Sequence, residues 1–131
     1  MRIGFTLVVI ATLSFLFGCD KSEVNVTEGS YKGTFTVTNS TGVSTGAVTL
    51  ELKNGRFSCS GNSDRIPAGG SGSYSVTNGK IVFVDENFWT ADFDWNLILN
   101  GRYDYTFDGK ILQISTFKND VGFYRYDLEK Q

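Results

Sequence analysis

The chain has 131 residues and a formal net charge of −2, enough length for one domain and too little for two. Its mildly acidic, scattered charges leave no basic footprint for nucleic acid. It contains no histidine, which removes Ser-His-Asp and Cys-His catalytic arrangements and imidazole zinc sites.

The chain opens with a positive residue, Arg2, and an uncharged apolar stretch from Phe5 to Phe17, closed by Leu16-Phe17-Gly18-Cys19. That order is a secretory signal, and the run is shorter than the ~20 residues that cross a bilayer as a helix. With Leu16 three positions before Cys19 and Gly18 directly before it, the segment resembles the bacterial lipobox. There the cysteine thiol receives a diacylglyceryl group and becomes the new N-terminus. The alternative is a plain signal peptide, or a short membrane span, that meets a cysteine by chance. The resemblance implies a signal peptide over 1–18 and lipidation at Cys19. It also implies anchorage to the outer membrane of a cell envelope, on its periplasmic or surface face. Each acyl CH₂ buried in the membrane contributes ~0.8 kcal/mol.

Residues 19–29 read as the lipidated cysteine and a polar tether. Asp20-Lys21-Ser22-Glu23 resembles the acidic cluster that sends lipoproteins of the Bacteroidota to the cell surface; simple solvation of a linker is the alternative. Loss of residues 1–18 leaves 113 residues and a net charge of −3, since Arg2 is the only charge removed. Lipid on Cys19 leaves Cys59 alone, so no intramolecular disulfide is expected. Lying among alternating residues, Cys59 reads as a small buried core residue rather than a nucleophile.

From residue 30 to 131 the chain alternates apolar and polar residues with period two, the signature of strands. Val48-x-Leu50-x-Leu52, Phe93-x-Trp95-x-Leu97-x-Leu99, Tyr103-x-Tyr105-x-Phe107 and Tyr124-x-Tyr126-x-Leu128 are examples. No window carries an amphipathic helix. The spacing predicts strands over about 30–38, 43–53, 56–61, 71–77, 80–85, 92–99, 102–107, 110–117 and 121–129. Asn54-Gly55, Asn78-Gly79, Asn100-Gly101 and Asp108-Gly109 stand between them, dipeptides suited to tight hairpins. Directly paired residues share a face, which makes parity a test. Two-residue turns pair Leu52 with Phe57, Leu50 with Cys59, Val76 with Ile81, Tyr74 with Phe83, Tyr105 with Leu112 and Tyr103 with Ile114, apolar with apolar throughout. Asn100-Gly101 fails the test, and a three-residue loop with a G1-type bulge at Gly101 restores it. The fold class is therefore all-β, an up-and-down antiparallel barrel of about 8–10 strands. Nine strands cannot close such a barrel, so one segment is miscounted, lies outside it, or is joined by another such as Val24-Asn25-Val26.

Gly29-Ser30-Tyr31-Lys32-Gly33-Thr34-Phe35 resembles the opening of lipocalin-like (calycin) barrels, with Tyr31 where that family carries tryptophan. The meander and the terminal strand are similar to small lipocalin-like lipoproteins of the Bacteroidota type. The resemblance implies a barrel over 29–129 able to take a small apolar or amphipathic ligand.

The loops near 39–42, 62–70 and 86–91 are expected at one end of the barrel, with the tight turns and the lipid tether at the other. Long loops carry function more often than tight turns. Phe88 and Trp89 fall where alternation stops, either as a lid and contact surface or as a plug folded into the barrel. The loop from Gly61 to Gly72, with Arg65 its cation, reads as a flexible flap. The rings of Tyr31, Phe35, Phe57, Tyr74, Phe83, Phe93, Trp95, Tyr103, Tyr105, Tyr124 and Tyr126 are placed inside. They fill a narrow lumen or, through their hydroxyls, line a pocket. Asp92, Asp94 and Asp104 could pair as acid and base or bind Ca²⁺, yet they fall on the polar phase and read as solvent-facing; Arg102, Lys110 and Lys118 read as solubilising or edge-blocking charges. No enzymatic activity, cofactor or metal is expected.

Two readings of function result. One is a lipid-anchored barrel binding a small apolar or amphipathic molecule, with Phe88, Trp89, Tyr74, Tyr103, Tyr105, Tyr124 and Arg65 as candidate contacts. The other is a protein-interaction lipoprotein with a filled barrel, such as a hydrolase or protease inhibitor. Ser71-Gly72-Ser73-Tyr74 faintly resembles a segment of membrane-bound lysozyme inhibitors. A connected cavity beside Phe88 and Trp89 favours the first; a filled interior with exposed loop aromatics favours the second.

Overall fold

The computed structural model describes residues 25–118 and 121–131. The expected signal peptide over 1–18, the expected lipidation site Cys19 and the tether through residue 24 lie outside the described residues.

Eight antiparallel strands close into an up-and-down barrel. They are β1 (Gly29–Asn39), β2 (Gly42–Lys53), β3 (Arg56–Cys59), β4 (Gly70–Thr77), β5 (Lys80–Asp85), β6 (Gly101–Phe107), β7 (Ile111–Lys118) and β8 (Gly122–Lys130). Each pairs with its sequence neighbours, and β8 returns to β1 with Phe35 opposite Tyr126. Closure removes the free edges that an open sheet of this size would expose. Alternation drives it: in β6, Tyr103, Tyr105 and Phe107 are buried while Arg102, Asp104 and Thr106 face solvent.

The predicted pairs Leu52–Phe57, Leu50–Cys59, Val76–Ile81 and Tyr74–Phe83 are all present. Asn54 and Gly55 take φ of 52° and 72°, Asn78 and Gly79 48° and 73°, the doubly positive geometry that two-residue hairpins need. Asp108-Gly109 behaves differently. Tyr105 faces Ile114 and Phe107 faces Leu112, a register two residues from the expected one, with the faces unchanged. The cause is local: the Asp108 carboxylate accepts hydrogen bonds from the backbone N–H groups of Lys110 and Ile111, at 2.9 and 2.7 Å, and holds a wider loop.

The expected strand over 92–99 is absent. Asp94 caps a short 3-10 turn over Trp95–Leu97, its side chain accepting the Asn96 N–H. Residues 86–100 thus form one long crossover from β5 to β6. The predicted hairpin and bulge at Asn100-Gly101 do not exist, because Gly101 begins β6 opposite Phe83 of β5. Phe93 and Trp95 accordingly lie outside the lumen, Trp95 63% exposed. Residues 25–27 form no strand, though Val26 packs on the core.

The core is a single cluster inside the barrel, from Tyr31 and Phe35 on β1 to Tyr124, Tyr126 and Leu128 on β8. Rings meet across strands that are not neighbours: Tyr31 with Phe107 at 6.0 Å, Phe57 with Phe83 at 4.9 Å and Tyr103 with Tyr126 at 6.2 Å. These edge-to-face contacts occupy the lumen.

Candidate functional site

The two ends of the barrel differ. Thr27 accepts a hydrogen bond from Lys130, and Glu28 accepts one from the backbone N–H of Asn54, so the chain reaches β1 at the end carrying the turns at 54–55 and 78–79. The 60–69 loop and the 86–100 crossover lie at the opposite end.

Those two segments are fastened together over the mouth. Ala68 N–H donates to the Leu97 carbonyl at 3.0 Å and Leu99 N–H to the Gly69 carbonyl at 2.9 Å. Leu99 is fully buried and Leu97 packs against the core, so the crossover closes the barrel. The Gly61 to Gly72 segment, expected as a flexible flap, is tied down by these bonds. The Asn62 carboxamide adds bonds to Asp64, Ile66 and Ala47. From the wall, the Lys118 ammonium donates to the carbonyls of Asn96 and Ile98 at 2.9 and 3.1 Å, above the rings of Tyr103 and Tyr124. Burial pushes its pKa down to about 8, opposed by the charge of Asp94.

Asp85, the last residue of β5, organises the start of the crossover. Its carboxylate accepts from Ser71 N–H, from the Asn87 amide and from the Trp89 indole N–H, while its own N–H donates to Asn100. Trp89 is thus half-buried and meets Phe93 edge-on at 4.9 Å. The Arg65 guanidinium lies 4.0 Å from the Phe93 ring and pairs with Asp92 at 2.9 Å. Hydrogen bonds from Thr90 and Arg65 lower the Asp92 pKa. Phe88, next to Trp89, is 97% exposed. Neither residue plugs the lumen; Leu97 and Leu99 do.

The candidate contacts therefore divide. Phe88, Trp89 and Arg65 lie at the long-loop end outside the lumen. Tyr103, Tyr105 and Tyr124 are buried inside it, and Tyr74 is half-buried. A groove of about 310 Å³ runs past Asp85, Phe88, Trp89, Trp95, Ile98 and Asn100, and none of the four tyrosines lines it. A second groove of about 310 Å³ adjoins it through Trp95 and Asn100 and continues past Arg102, Thr116, Phe117 and Lys118. Asp94 serves as the turn cap, and Asp104 pairs with Lys80.

Arg102, Phe117 and Lys118 were assigned to no site by sequence reasoning, and Trp95 was placed inside the lumen. The strand count of nine and the parity failure at Asn100-Gly101 were the available signal for Trp95, since both fault the 92–99 segment. Compared with protein-family models, with curated proteins and with solved structures, the chain has no match.

Proposed function

We propose that this chain is a lipid-anchored, lipocalin-like barrel of the cell envelope that binds a protein partner through its long-loop end. One observation carries the reading: rings in mutual contact fill the lumen, while Phe88, Trp95 and Phe117 stand 97%, 63% and 79% exposed at the far end. Large apolar side chains left in water near one another mark interaction surfaces. The chain enters β1 at the opposite end of the barrel, so a lipid anchor upstream of it would leave the aromatic end pointing away from the membrane, on the periplasmic or the cell-surface side.

The groove beside Phe88 and Trp89 supports a second reading. At about 310 Å³ it has the smallest size usual for ligand pockets, and a small amphipathic molecule fits there, outside the lumen.

Two measurements separate these. A photo-reactive phenylalanine at position 88 is expected to crosslink to a protein in the native host, and the same probe at position 54 is not. Native mass spectrometry of the full chain purified from that host is expected to find no co-purifying small molecule. A stoichiometric small molecule with no crosslink at position 88 overturns the interaction reading in favour of the second.

A further inference from the structure

The barrel wall is not paired all the way round. The ladder between β6 and β7 runs from Phe107 opposite Leu112 to Asp104 opposite Ser115 and stops there. Both strands continue for three residues, Gly101 to Tyr103 and Thr116 to Lys118, and among the described residues each pairs as a strand only with its outer neighbour. Gly101, Arg102 and Tyr103 pair with β5, and Thr116, Phe117 and Lys118 pair with β8. At about 3.3 Å per residue, the parting is roughly 10 Å long. The second groove lies in it.

The surroundings are selective. Among the described residues, Arg102 and Lys118 are the charged ones lining this groove, with no carboxylate beside them, although the chain as a whole is acidic. Among the described residues the Arg102 guanidinium has neither an ion pair nor a hydrogen bond. Lys118 spends two of its three donors on the crossover carbonyls and, among the described residues, keeps the third. Trp95 and Phe117 form exposed walls on either side.

We infer that the parting between β6 and β7 receives an extended acidic peptide segment of the partner protein, added as a short strand. This rests on the interaction reading and names its site and ligand class. Backbone N–H and C=O groups of a strand edge supply the affinity in such additions, and flanking side chains supply the choice of sequence. Here the choice falls on a carboxylate beside Arg102, with apolar side chains against Trp95 and Phe117.

The test is titration of the full chain, isotope-labelled, with three probes: acetyl-Val-Glu-Val-Glu-Val-amide, its lysine counterpart, and a uronic acid disaccharide. The acidic peptide is expected to shift the amides of 101–103 and 116–118 saturably. Nuclear Overhauser contacts between its amides and one of the two strand edges are expected too. It should bind at least about tenfold more tightly than the lysine peptide, and Arg102→Gln should remove most of that preference. Equal binding of both peptides, shifts elsewhere on the barrel, or binding of the uronate alone overturns the inference. If the acidic peptide fails while the probe at position 88 still captures a protein, the site is wrong and the interaction reading stands. If both fail, that reading falls with it.

Discussion

The Lys118 ammonium donates a hydrogen bond to the Ile98 carbonyl at 3.1 Å, joining the end of β7 to the segment that closes the barrel mouth. The bond is made at a cost, because the ammonium is half-buried with no carboxylate in contact among the described residues. Its pKa falls from 10.5 to about 8 in the folded chain. Between those values the unfolded chain holds a proton that the folded chain has released, so stability rises with pH across that window. The gain is a few kcal/mol at most, since one pKa unit is worth about 1.4 kcal/mol. Buried Tyr103 and Tyr124, whose pKa values are raised by burial, oppose further gain above pH 10. Urea unfolding at pH 7.5, 8.5 and 9.5 is expected to show a rising midpoint, and Lys118→Met is expected to flatten it. A midpoint in the parent chain that does not move would refute the account.

Where β1 meets β8, Gly33 lies against backbone. A Cβ there would sit 1.8 Å from the Asp127 carbonyl oxygen, and a main-chain atom cannot rotate away. Gly33→Ala must part the seam that closes the barrel, with a cost of about 1–3 kcal/mol or more. Thermal denaturation followed by circular dichroism should show a midpoint lower by at least about 4 °C. At Gly55, where nothing lies within 4 Å of the added carbon, only the φ of 72° penalises the same change.

Asp85 fixes Trp89 by accepting its indole N–H while also holding Ser71 and Asn87. Asp85→Asn replaces one acceptor oxygen by an amide donor, and the indole N–H then faces a donor or loses its partner. The loss is about 1.5–3 kcal/mol, the range for a hydrogen bond to a charged group. Trp89 emission in a Trp95→Phe background should shift to longer wavelength, with the far-ultraviolet spectrum of the barrel unchanged. An unshifted emission would mean that Phe93 packing alone positions the ring.

The barrel was legible because its signals are local and agree. Asn54-Gly55 and Asn78-Gly79 supply the positive φ that their hairpins need, and the burial phase of β2, β6 and β8 follows the alternation. At Asp108 the faces were legible and the register was not, since a carboxylate bonding to nearby backbone widens a loop without changing parity. The 92–99 segment was misread for a related reason. Phe93, Trp95, Leu97 and Leu99 alternate as a strand does, but Asp94 captures the Asn96 N–H and turns the chain. Phe88 was recognisable because it had no place in the core. The parting beside Arg102 was not, because the length of a ladder is set by strands distant in sequence.

Cys59 faces the lumen opposite Leu50 on β2 and is 6% exposed. Burial pushes its thiol up to about 12, so thiolate is scarce at pH 8. Access and ionisation both argue for an inert core residue, and reaction with a disulfide reagent then requires opening of the barrel. The folded chain at pH 8 is expected to react at Cys59 at least about a hundredfold more slowly than the same chain in 6 M guanidinium, a gap that opening free energies of a few kcal/mol account for. Because Cys19 carries the chain's other thiol, the measurement uses Cys19→Ser. A fast reaction in the folded state would place the thiol at an opening in the wall, and the lumen could no longer be described as filled on that side.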